Sequence, residues 1–487
     1  MSRSCALLWL FLCAGLASLV RVPDEATIEG RVVDAAGPVA QARVGWQGER
    51  LRVVTDARGG FRLPRRNGKR LIASKPGCRI ASSESTTPLR LDPMPTIDHD
   101  DYAWIDPHPD SGSPSNCANC HAEIHREWQA SAHARSATNA KFVQLYAGPH
   151  KRWNARGEHP DGSAVCAACH APTLKSVTLD YDVREADGVA KSGIHCDYCH
   201  KVADVTDKLG LRFGRDALFS LRPAPGDALT FGPLDDAVRA GESFAHAPIY
   251  KDSRYCAACH EGTVFGVHAY GTYSEWLESP AKQQGKHCQD CHMAPTGRMT
   301  NIAPGKGGIE RNPRTLASHR TPGGELKMLA STLSLNVQRK ATARGIEVRV
   351  EVVSSNVGHR VPTGFPDRQL VLVVDAFDAD GNRVEPLEGP RLPASVGEWS
   401  ALPGMLYAKQ LTGERRRTPI PYWLPVFDML DTRLHPNRPD RRAFVFPASV
   451  ERVTVRLWYR RFWHEVAAAR GWKDNDVLVA ESVPSKP

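Results

Sequence analysis

Five copies of one short pattern, Cys-x-x-Cys-His, lie between residues 117 and 292 of this 487-residue chain. The copies begin at Cys117, Cys166, Cys196, Cys256 and Cys288. Two thiols at this spacing can form thioethers with the two vinyl groups of one porphyrin, and the adjacent histidine then lies beneath the iron as an axial ligand. The repeated pattern therefore predicts five covalently bound c-type haems, each with its own iron.

The predicted site residues follow directly from the five motifs. The cysteines that would hold the porphyrins are Cys117, Cys120, Cys166, Cys169, Cys196, Cys199, Cys256, Cys259, Cys288 and Cys291, and the proximal iron ligands would be His121, His170, His200, His260 and His292. A single Cys-x-x-Cys could equally be a zinc knuckle or a redox dithiol. Five copies, each followed by histidine, favour haem over zinc.

The formal charge of +9 is a poor indicator of nucleic-acid binding in this chain. Five haems would add about ten propionate charges, which brings the loaded protein close to neutral. No nucleic-acid partner is therefore predicted. Two basic clusters, residues 415–417 and 438–442, are interpreted as solvated loops, with steering of an acidic redox partner as the alternative.

Residues 1–20 have the composition of a secretory signal: Arg3, an uncharged run over residues 4–20 and small residues at 15–18. The apolar run is slightly short for a membrane span, so an uncleaved anchor is the weaker interpretation. Export agrees with c-type haem attachment, which takes place outside the cytoplasm. We expect a periplasmic or extracellular protein with no integral membrane span in its mature form.

Residues 27–92 alternate apolar and polar residues in short runs, with Gly, Pro and Asp between them, which predicts a small antiparallel β-sandwich. The segments Ile28-Glu-Gly-Arg-Val-Val-Asp34 and Thr55-Asp-Ala-Arg-Gly-Gly-Phe61 resemble the carboxypeptidase-regulatory-like family, which has a transthyretin-like fold. The resemblance implies an accessory or docking module without chemistry. Residues 93–112 then form a predicted linker, in which His99 and His108 are expected to be exposed to solvent.

The remaining chain divides by pattern into two predicted domains. Residues 113–325 have a poor strand signal and many Gly and Pro residues, which predicts a mainly α or irregular pentahaem cytochrome c domain in which porphyrins fill the core. Residues 326–487 return to strand patterning, for example at 346–353 and 370–374, and predict an immunoglobulin-like β-sandwich. Short intervals in the sequence predict that sites two and three, and sites four and five, form close haem pairs.

The function depends on how many haems receive a second axial ligand, because an iron with two histidines cannot bind small molecules, whereas an open iron can. Outside the motifs, the histidines in settings suited to a distal ligand are His133, His246, His268, His319 and His359. Rival candidates are His125, His195 and His287. The last two precede a haem-binding cysteine and could instead hydrogen-bond a propionate or neighbouring backbone.

Residues 117–325 resemble the multihaem cytochrome c family that includes the tetrahaem electron acceptor of hydroxylamine oxidoreductase. The similar segments are Trp128-x-x-Ser131-x-His133, Tyr273-x-x-Trp276, Gly285 to Met293 and His319-x-x-x-Gly323-Gly324. The resemblance implies that His133 and His319 are distal ligands. Gly358-His359-x-x-Pro362-Thr-Gly364 is similar to a segment of exported multihaem proteins with an added β-domain, which implies that His359 also ligates a haem.

This chain departs from the tetrahaem members by its fifth site and its two β-domains, so their redox partner cannot be carried over. It also lacks the Cys-x-x-Cys-Lys of the pentahaem nitrite reductases. The predicted function is electron transfer to redox partner proteins through closely spaced, mostly bis-histidine haems. One alternative is a haem-based reductase or oxidase of a small nitrogen or sulfur compound at one open haem. A compatible role is docking of the β-domains to a membrane or surface complex.

Overall fold

The computed structural model describes residues 26–85, 88–149, 154–158, 165–174, 182–209, 214–264 and 266–486. The predicted signal at residues 1–20 lies outside these ranges. The chain divides into two compact units, the first comprising Met1–Lys75 and Ile80–Asp92, and the second Pro76–Arg79 and Pro93–Pro487. None of the helices in the described part of the chain is long and apolar enough to cross a membrane.

The first unit contains seven short strands in two sheets. They are β1 (Thr27–Val33), β2 (Arg43–Trp46), β3 (Arg52–Val54), β4 (Gly60–Pro64), β5 (Leu71–Ser74), β6 (Ala81–Ser83) and β7 (Leu89–Arg90), ordered β4-β1-β7 and β3-β2-β5-β6. Alternate residues such as Val32, Val44 and Leu63 are fully buried, as expected for strands with one apolar face. The turn before β4 requires glycine at position 59, because φ is +70° and an added Cβ would lie 2.4 Å from the Val32 carbonyl oxygen.

The motif region, residues 113–325, is built from short helices and two-stranded ribbons. Its helices are α1 (Ala122–Gln129), α2 (Ala140–Ala147), α3 (Ala155–Glu158), α4 (Ala167–His170), α5 (Cys196–Cys199), α6 (Ser253–His260), α7 (Thr272–Leu277), α8 (Pro280–Gln283) and α9 (Cys288–His292). Its strands are β8 (Val202–Val205), β9 (Leu218–Ser220), β10 (Leu229–Gly232), β11 (Ser243–His246), β12 (Glu261–Val264) and β13 (Val267–Gly271). Side-chain caps begin several of these helices: Asn139 begins α2, Asp252 begins α6, and Ser279 followed by Pro280 begins α8.

Residues 93–112 contain no helix or strand, as the predicted linker would, but hydrogen bonds attach them to the motif region. Asp197 of α5 accepts hydrogen bonds from the Tyr102 hydroxyl at 3.0 Å and the Ile105 amide at 2.9 Å. His108, which was expected to be solvent-exposed, is half-buried with its Nδ1 3.2 Å from Nε2 of His125. This segment therefore forms part of the wall of the motif region.

The C-terminal part consists of two facing sheets. After α10 (Leu326–Thr332) come β14 (Leu333–Thr342), β15 (Gly345–Ser354), β16 (Gln369–Phe377), β17 (Gly404–Thr412), β18 (Asp428–Asp431), β19 (Asp440–Phe446), β20 (Arg452–Arg460), α11 (His464–Arg470) and β21 (Asp476–Ser482). The sheet orders are β14-β15-β19 and β18-β17-β16-β20-β21. Val348, Leu370 and Val455 pack in the core that both sheets share.

A second apolar core joins these sheets to the motif region. Leu145 and Val264 from the motif region pack in one buried cluster with Val371, Leu406 and Trp463 from the C-terminal part. The predicted boundary between residues 325 and 326 therefore separates two kinds of secondary structure but lies inside one compact unit. As a result, the β-sheets can contribute side chains to the sites described next.

Candidate haem sites

The histidines of four motifs are oriented by the same kind of contact. In each case Nδ1 lies at hydrogen-bonding distance from a backbone carbonyl oxygen: His121 from Ile302 at 2.8 Å, His170 from Ser136 at 2.9 Å, His200 from Phe231 at 2.6 Å and His292 from Pro322 at 2.7 Å. Since a carbonyl oxygen can only accept, Nδ1 must carry the proton. The Nε2 lone pair is then available to a metal, which is the usual arrangement of a metal-binding histidine.

Burial favours the neutral form of three motif imidazoles, those of His170, His200 and His260, and metal ligation requires that form. It lowers the pKa of His170 and His200 and, together with the neighbouring His133, lowers the pKa of His260 to about 3. At neutral pH these rings therefore present an uncharged nitrogen donor. No protonated form has to be displaced before a metal binds.

Three of the motif histidines face a second histidine at nearly the same separation. The ring centroids are 6.3 Å apart for His133 and His260, 6.5 Å for His200 and His319, and 6.3 Å for His292 and His359. At a metal–nitrogen distance of about 2.0 Å, a gap of this width would accommodate one metal ion between the two imidazoles. The three gaps therefore have the width that one iron between two imidazoles needs.

Helix α1 positions two of the three partner histidines. His133 lies just beyond its C-terminal end, with Nδ1 3.3 Å from the Thr321 hydroxyl oxygen. Glu127, within α1, accepts a hydrogen bond from the His319 backbone amide at 2.8 Å. The segment around His319 and Thr321 is thus held to α1 at two points, so the two histidine pairs share one support.

A buried ion cluster, formed by Glu275, Arg360, Asp431 and Arg433, positions His359. The Glu275 carboxylate accepts hydrogen bonds from the Arg360 amide at 3.1 Å and the Thr363 hydroxyl at 2.8 Å, which holds the loop that carries His359 against α7. Arg433 bridges Glu275 and Asp431 at 2.7 Å each, and Arg360 bonds Asp431 at 2.6 Å. No sequence pattern predicts this cluster, although Glu275 lies between Tyr273 and Trp276 and Arg360 directly follows His359.

The other predicted distal ligands lie elsewhere. His268 is half-exposed, and its Nε2 is 2.6 Å from the Glu261 carboxylate. His246 ends β11, where its backbone pairs with Gly232. His195 accepts a hydrogen bond from the Tyr198 amide at 3.3 Å, and His287 accepts one from the Ser253 amide at 3.1 Å. Both contacts agree with the backbone alternative considered for these two rings.

His121 and His170 have a different setting. Among the described residues, neither ring faces a second imidazole at the separation of the three pairs, and His170 stacks on Phe142 with ring centroids 3.7 Å apart. Near Cys166, the buried hydroxyls of Tyr270 and Tyr422 are hydrogen-bonded to each other at 2.9 Å. Burial is the main cause that raises the pKa of both tyrosines, so both keep their protons.

The cysteine side chains show which sites are neighbours. The side chains of Cys117 and Cys196, of Cys169 and Cys259, and of Cys256 and Cys288 lie close enough to interact with each other. Sites four and five are therefore adjacent, as the spacing predicted. The spacing predicted that site two would pair with site three. The thiol of site two instead contacts site four, and site three contacts site one.

Two comparisons with known proteins found a similarity to this chain. Residues 116–201, which contain the first three motifs, match the family model described as cytochrome c554 and c-prime. No curated protein matches the chain. The solved structure of a penta-heme cytochrome c552 from Thermochromatium tepidum is similar with a TM-score of 0.56 and 22% identity, over 75% of this chain and 97% of that one. The fold of this chain is that of a multihaem c-type cytochrome.

Proposed function

We propose that this protein is an exported pentahaem c-type cytochrome that transfers electrons through closely spaced, mostly bis-histidine haems. The observation that carries the proposal is the set of three imidazole pairs with centroids 6.3 to 6.5 Å apart. The proposed ligand pairs are His200 with His319, His260 with His133, and His292 with His359. When bound, the haems supply the one-electron chemistry, and the protein fixes their order and closes their irons to small molecules.

The contacts between thiols support a continuous electron path. Site one adjoins site three, and sites two, four and five are linked through Cys259 and Cys256. The buried side chain of Tyr198 lies close enough to Cys169, Cys199 and Cys259 to interact with them electrostatically. Sites two, three and four are therefore neighbours of the same tyrosine. A haem covalently bound at each site would therefore have a neighbouring haem within a short distance.

A second candidate function is binding and conversion of a small nitrogen or sulfur compound at one open haem. It is favoured by the absence, within the described residues, of a second imidazole facing His121 or His170. The hydrogen-bonded tyrosines Tyr270 and Tyr422 near Cys166 keep their protons and would offer a hydroxyl hydrogen-bond donor to a compound bound at site two. This candidate and the first differ in whether the purified protein binds a gaseous ligand.

The ligand assignment is tested by replacing His133, His319 and His359 one at a time with alanine. Each change should convert one haem in five from low-spin to high-spin in the ferric electron paramagnetic resonance spectrum, because it opens one iron. Added imidazole should restore the low-spin signal. His268→Ala is the matched control and should leave the spectrum unchanged. A distal variant with an unaltered spectrum refutes the ligand pair to which that histidine is assigned.

The wild-type protein separates the two candidate functions. If the reduced holoprotein is inert to carbon monoxide, all its irons are closed and the electron-transfer function stands. If about one haem in five binds the gas, the second candidate becomes the leading one. A carbon monoxide titration of known haem content gives this answer without any variant.

The N-terminal unit is proposed to dock the cytochrome to a membrane or surface complex. Its support is the two-sheet module at residues 27–92, which contains none of the five attachment motifs. Deletion of residues 27–92 should leave haem content and spectra unchanged and should release the protein from the membrane or surface fraction of its cells. Loss of haem from the deleted form would show that the module is needed for folding instead.

A further inference from the structure

The motif histidine of site one is oriented by a loop without regular secondary structure. His121 donates a hydrogen bond from Nδ1 to the Ile302 carbonyl oxygen at 2.8 Å. Ile302 lies within residues 293–312, which contain no helix or strand. The corresponding acceptor of site three differs, because the Phe231 carbonyl belongs to strand β10, which pairs with β11. The position of Ile302 must therefore be fixed by side-chain and loop contacts.

A buried ion pair between Arg311 and Asp236 anchors this loop. The guanidinium donates to both carboxylate oxygens, at 2.8 and 3.0 Å, and the two side chains are only 10% and 3% exposed. Two such parallel bonds fix the orientation of the pair as well as its distance. Asp236 follows β10, which ends at Gly232. The pair therefore attaches the loop of Ile302 to the segment that follows the strand of site three.

Backbone hydrogen bonds connect this anchor to Ile302. The Arg311 amide donates to the Thr300 carbonyl oxygen at 2.7 Å, which closes a short loop. Inside the loop, the Ala303 carbonyl oxygen accepts two backbone amides, at 3.0 and 3.1 Å. Ile302 lies between these two bonded positions, so its carbonyl is held on both sides. Movement of Arg311 would therefore shift the acceptor that site one uses.

Resting on the proposed function, we propose that Asp236 and Arg311 are a positioning pair that sets the hydrogen bond of His121 and, through it, the reduction potential of the haem at site one. A metal-binding imidazole becomes a stronger base when its other N–H is bonded to a well-placed acceptor. A stronger base favours ferric over ferrous iron, because ferric iron carries more positive charge. A firmly held Ile302 carbonyl therefore keeps the potential of site one low.

Two variants of the full holoprotein separate this positioning effect from the effect of charge. Asp236→Asn and Arg311→Gln both break the bidentate pair, so both should weaken the hydrogen bond and raise one of the five potentials. The reduction equilibrium of that haem should change by up to about tenfold, which is about 59 mV for one electron. A direct effect of charge would have opposite signs in the two variants, because one loses an anion and the other a cation. A higher potential in Arg311→Gln is therefore the decisive result.

Two further variants serve as the conservative change and the control. Arg311→Lys keeps the buried charge but cannot donate two parallel bonds, so it should raise the same potential by a smaller amount. Asp375→Asn is the matched control, because it removes a 1% exposed carboxylate from its pairs with Arg383 and Arg456 in the C-terminal sheets. All five potentials of this control should equal those of the wild type.

The potentials are measured by spectroelectrochemical titration, fitted with one step for each haem, and haem content is measured by pyridine haemochrome assay. The shifted step should differ from the steps that His133→Ala, His319→Ala and His359→Ala move, since those variants mark sites four, three and five. Hydrogen–deuterium exchange gives a readout that does not depend on redox chemistry. Residues 300–311 should exchange faster in Asp236→Asn and Arg311→Gln, whereas β10 should exchange as in the wild type.

Three results would overturn the positioning proposal while leaving the proposed function intact. They are unchanged potentials in Arg311→Gln and Arg311→Lys, a lower potential in Arg311→Gln, or an equal shift in Asp375→Asn. If a disruptive variant takes up fewer than five haems, the result with Arg311→Lys decides. A wild-type protein with fewer than five haems, or with haems that are not reversibly reduced, would instead count against the proposed function.

Discussion

The buried ion cluster around Glu275 should control whether His359 stays in place. Glu275 and Arg433 have side chains that are only 9% and 6% exposed, and their charged atoms are 2.7 Å apart. Glu275→Gln keeps an oxygen that can accept the bonds from Arg360 and Thr363, but it leaves Arg433 with one anion fewer. Breaking a buried ion pair by removal of one partner costs about 3–5 kcal/mol.

The expected cost for this variant is at the lower end of that range, about 3 kcal/mol, because Arg433 keeps its contact with Asp431. At about 1.4 kcal/mol per factor of ten, the equilibrium between the docked and released His359 loop shifts about 100-fold. Since a bis-histidine iron must lose a ligand before it binds gas, the rate of carbon monoxide binding to one haem of the reduced protein should rise by up to about 100-fold.

Stopped-flow mixing of the reduced protein with carbon monoxide measures this rate. His359→Ala gives the upper limit, because it removes the ligand altogether. Glu388→Gln is the matched control: its pair with Arg344 is exposed at 58% and 64%, and exposed pairs contribute about 0–1 kcal/mol. If Glu275→Gln binds the gas as slowly as the wild type and this control, the ion cluster does not hold His359 and the reasoning is refuted.

Three further predictions concern stability, each read by calorimetry or urea unfolding of the full chain. Burial lowers the pKa of His195 to about 4, so the unfolded chain takes up this proton before the folded chain does as the pH falls. Up to about 3 kcal/mol of the free energy of unfolding should therefore be present above pH 6.5 and lost towards pH 4. His195→Asn should make the free energy of unfolding less dependent on pH over this range. Asp197→Asn should cost about 3 kcal/mol by leaving the Lys201 charge buried, and Lys201→Met in the same chain should recover part of the loss. Gly59→Ala should lower the unfolding temperature of the first unit by several degrees without changing the haem spectrum. Gly68→Ala is the control, because Gly68 has the same backbone strain but open space for an added Cβ. Its effect on the unfolding temperature should be smaller.

The features that could be predicted from sequence are those fixed by a few neighbouring residues. Each attachment motif can be recognised from five neighbouring residues, because attachment of one porphyrin requires two cysteines at a fixed spacing. The multihaem class of the fold could be predicted from these motifs. Strands are similarly local: the pattern at residues 346–353 lies within β15 (Gly345–Ser354) and the pattern at 370–374 lies within β16 (Gln369–Phe377). Alternating apolar residues identify the first strand and a continuous apolar run identifies the second, without any knowledge of their partners.

The features that could not be predicted depend on contacts between distant segments. Glu275 bonds Arg360 and Thr363, which are 85 and 88 residues away in sequence, so no short pattern reveals the cluster. The composition around His108 is typical of a linker, yet its ring contacts His125 and Ser192. The neighbour of site two was missed for the same reason, because the thiol contact between Cys169 and Cys259 depends on how the chain folds back and not on the interval between motifs.

The position of α1 has a consequence for how the protein matures. Its eight residues begin directly after His121, end just before His133, and carry Glu127, which holds His319. With the ligand pairs proposed above, this short helix contacts residues of three haem sites, and two of those sites are synthesised long after it. We expect a chain that has received only its first haems to leave this helix unsupported and open to proteases. Maturation would then approach an all-or-none event, with partly loaded chains degraded before they accumulate.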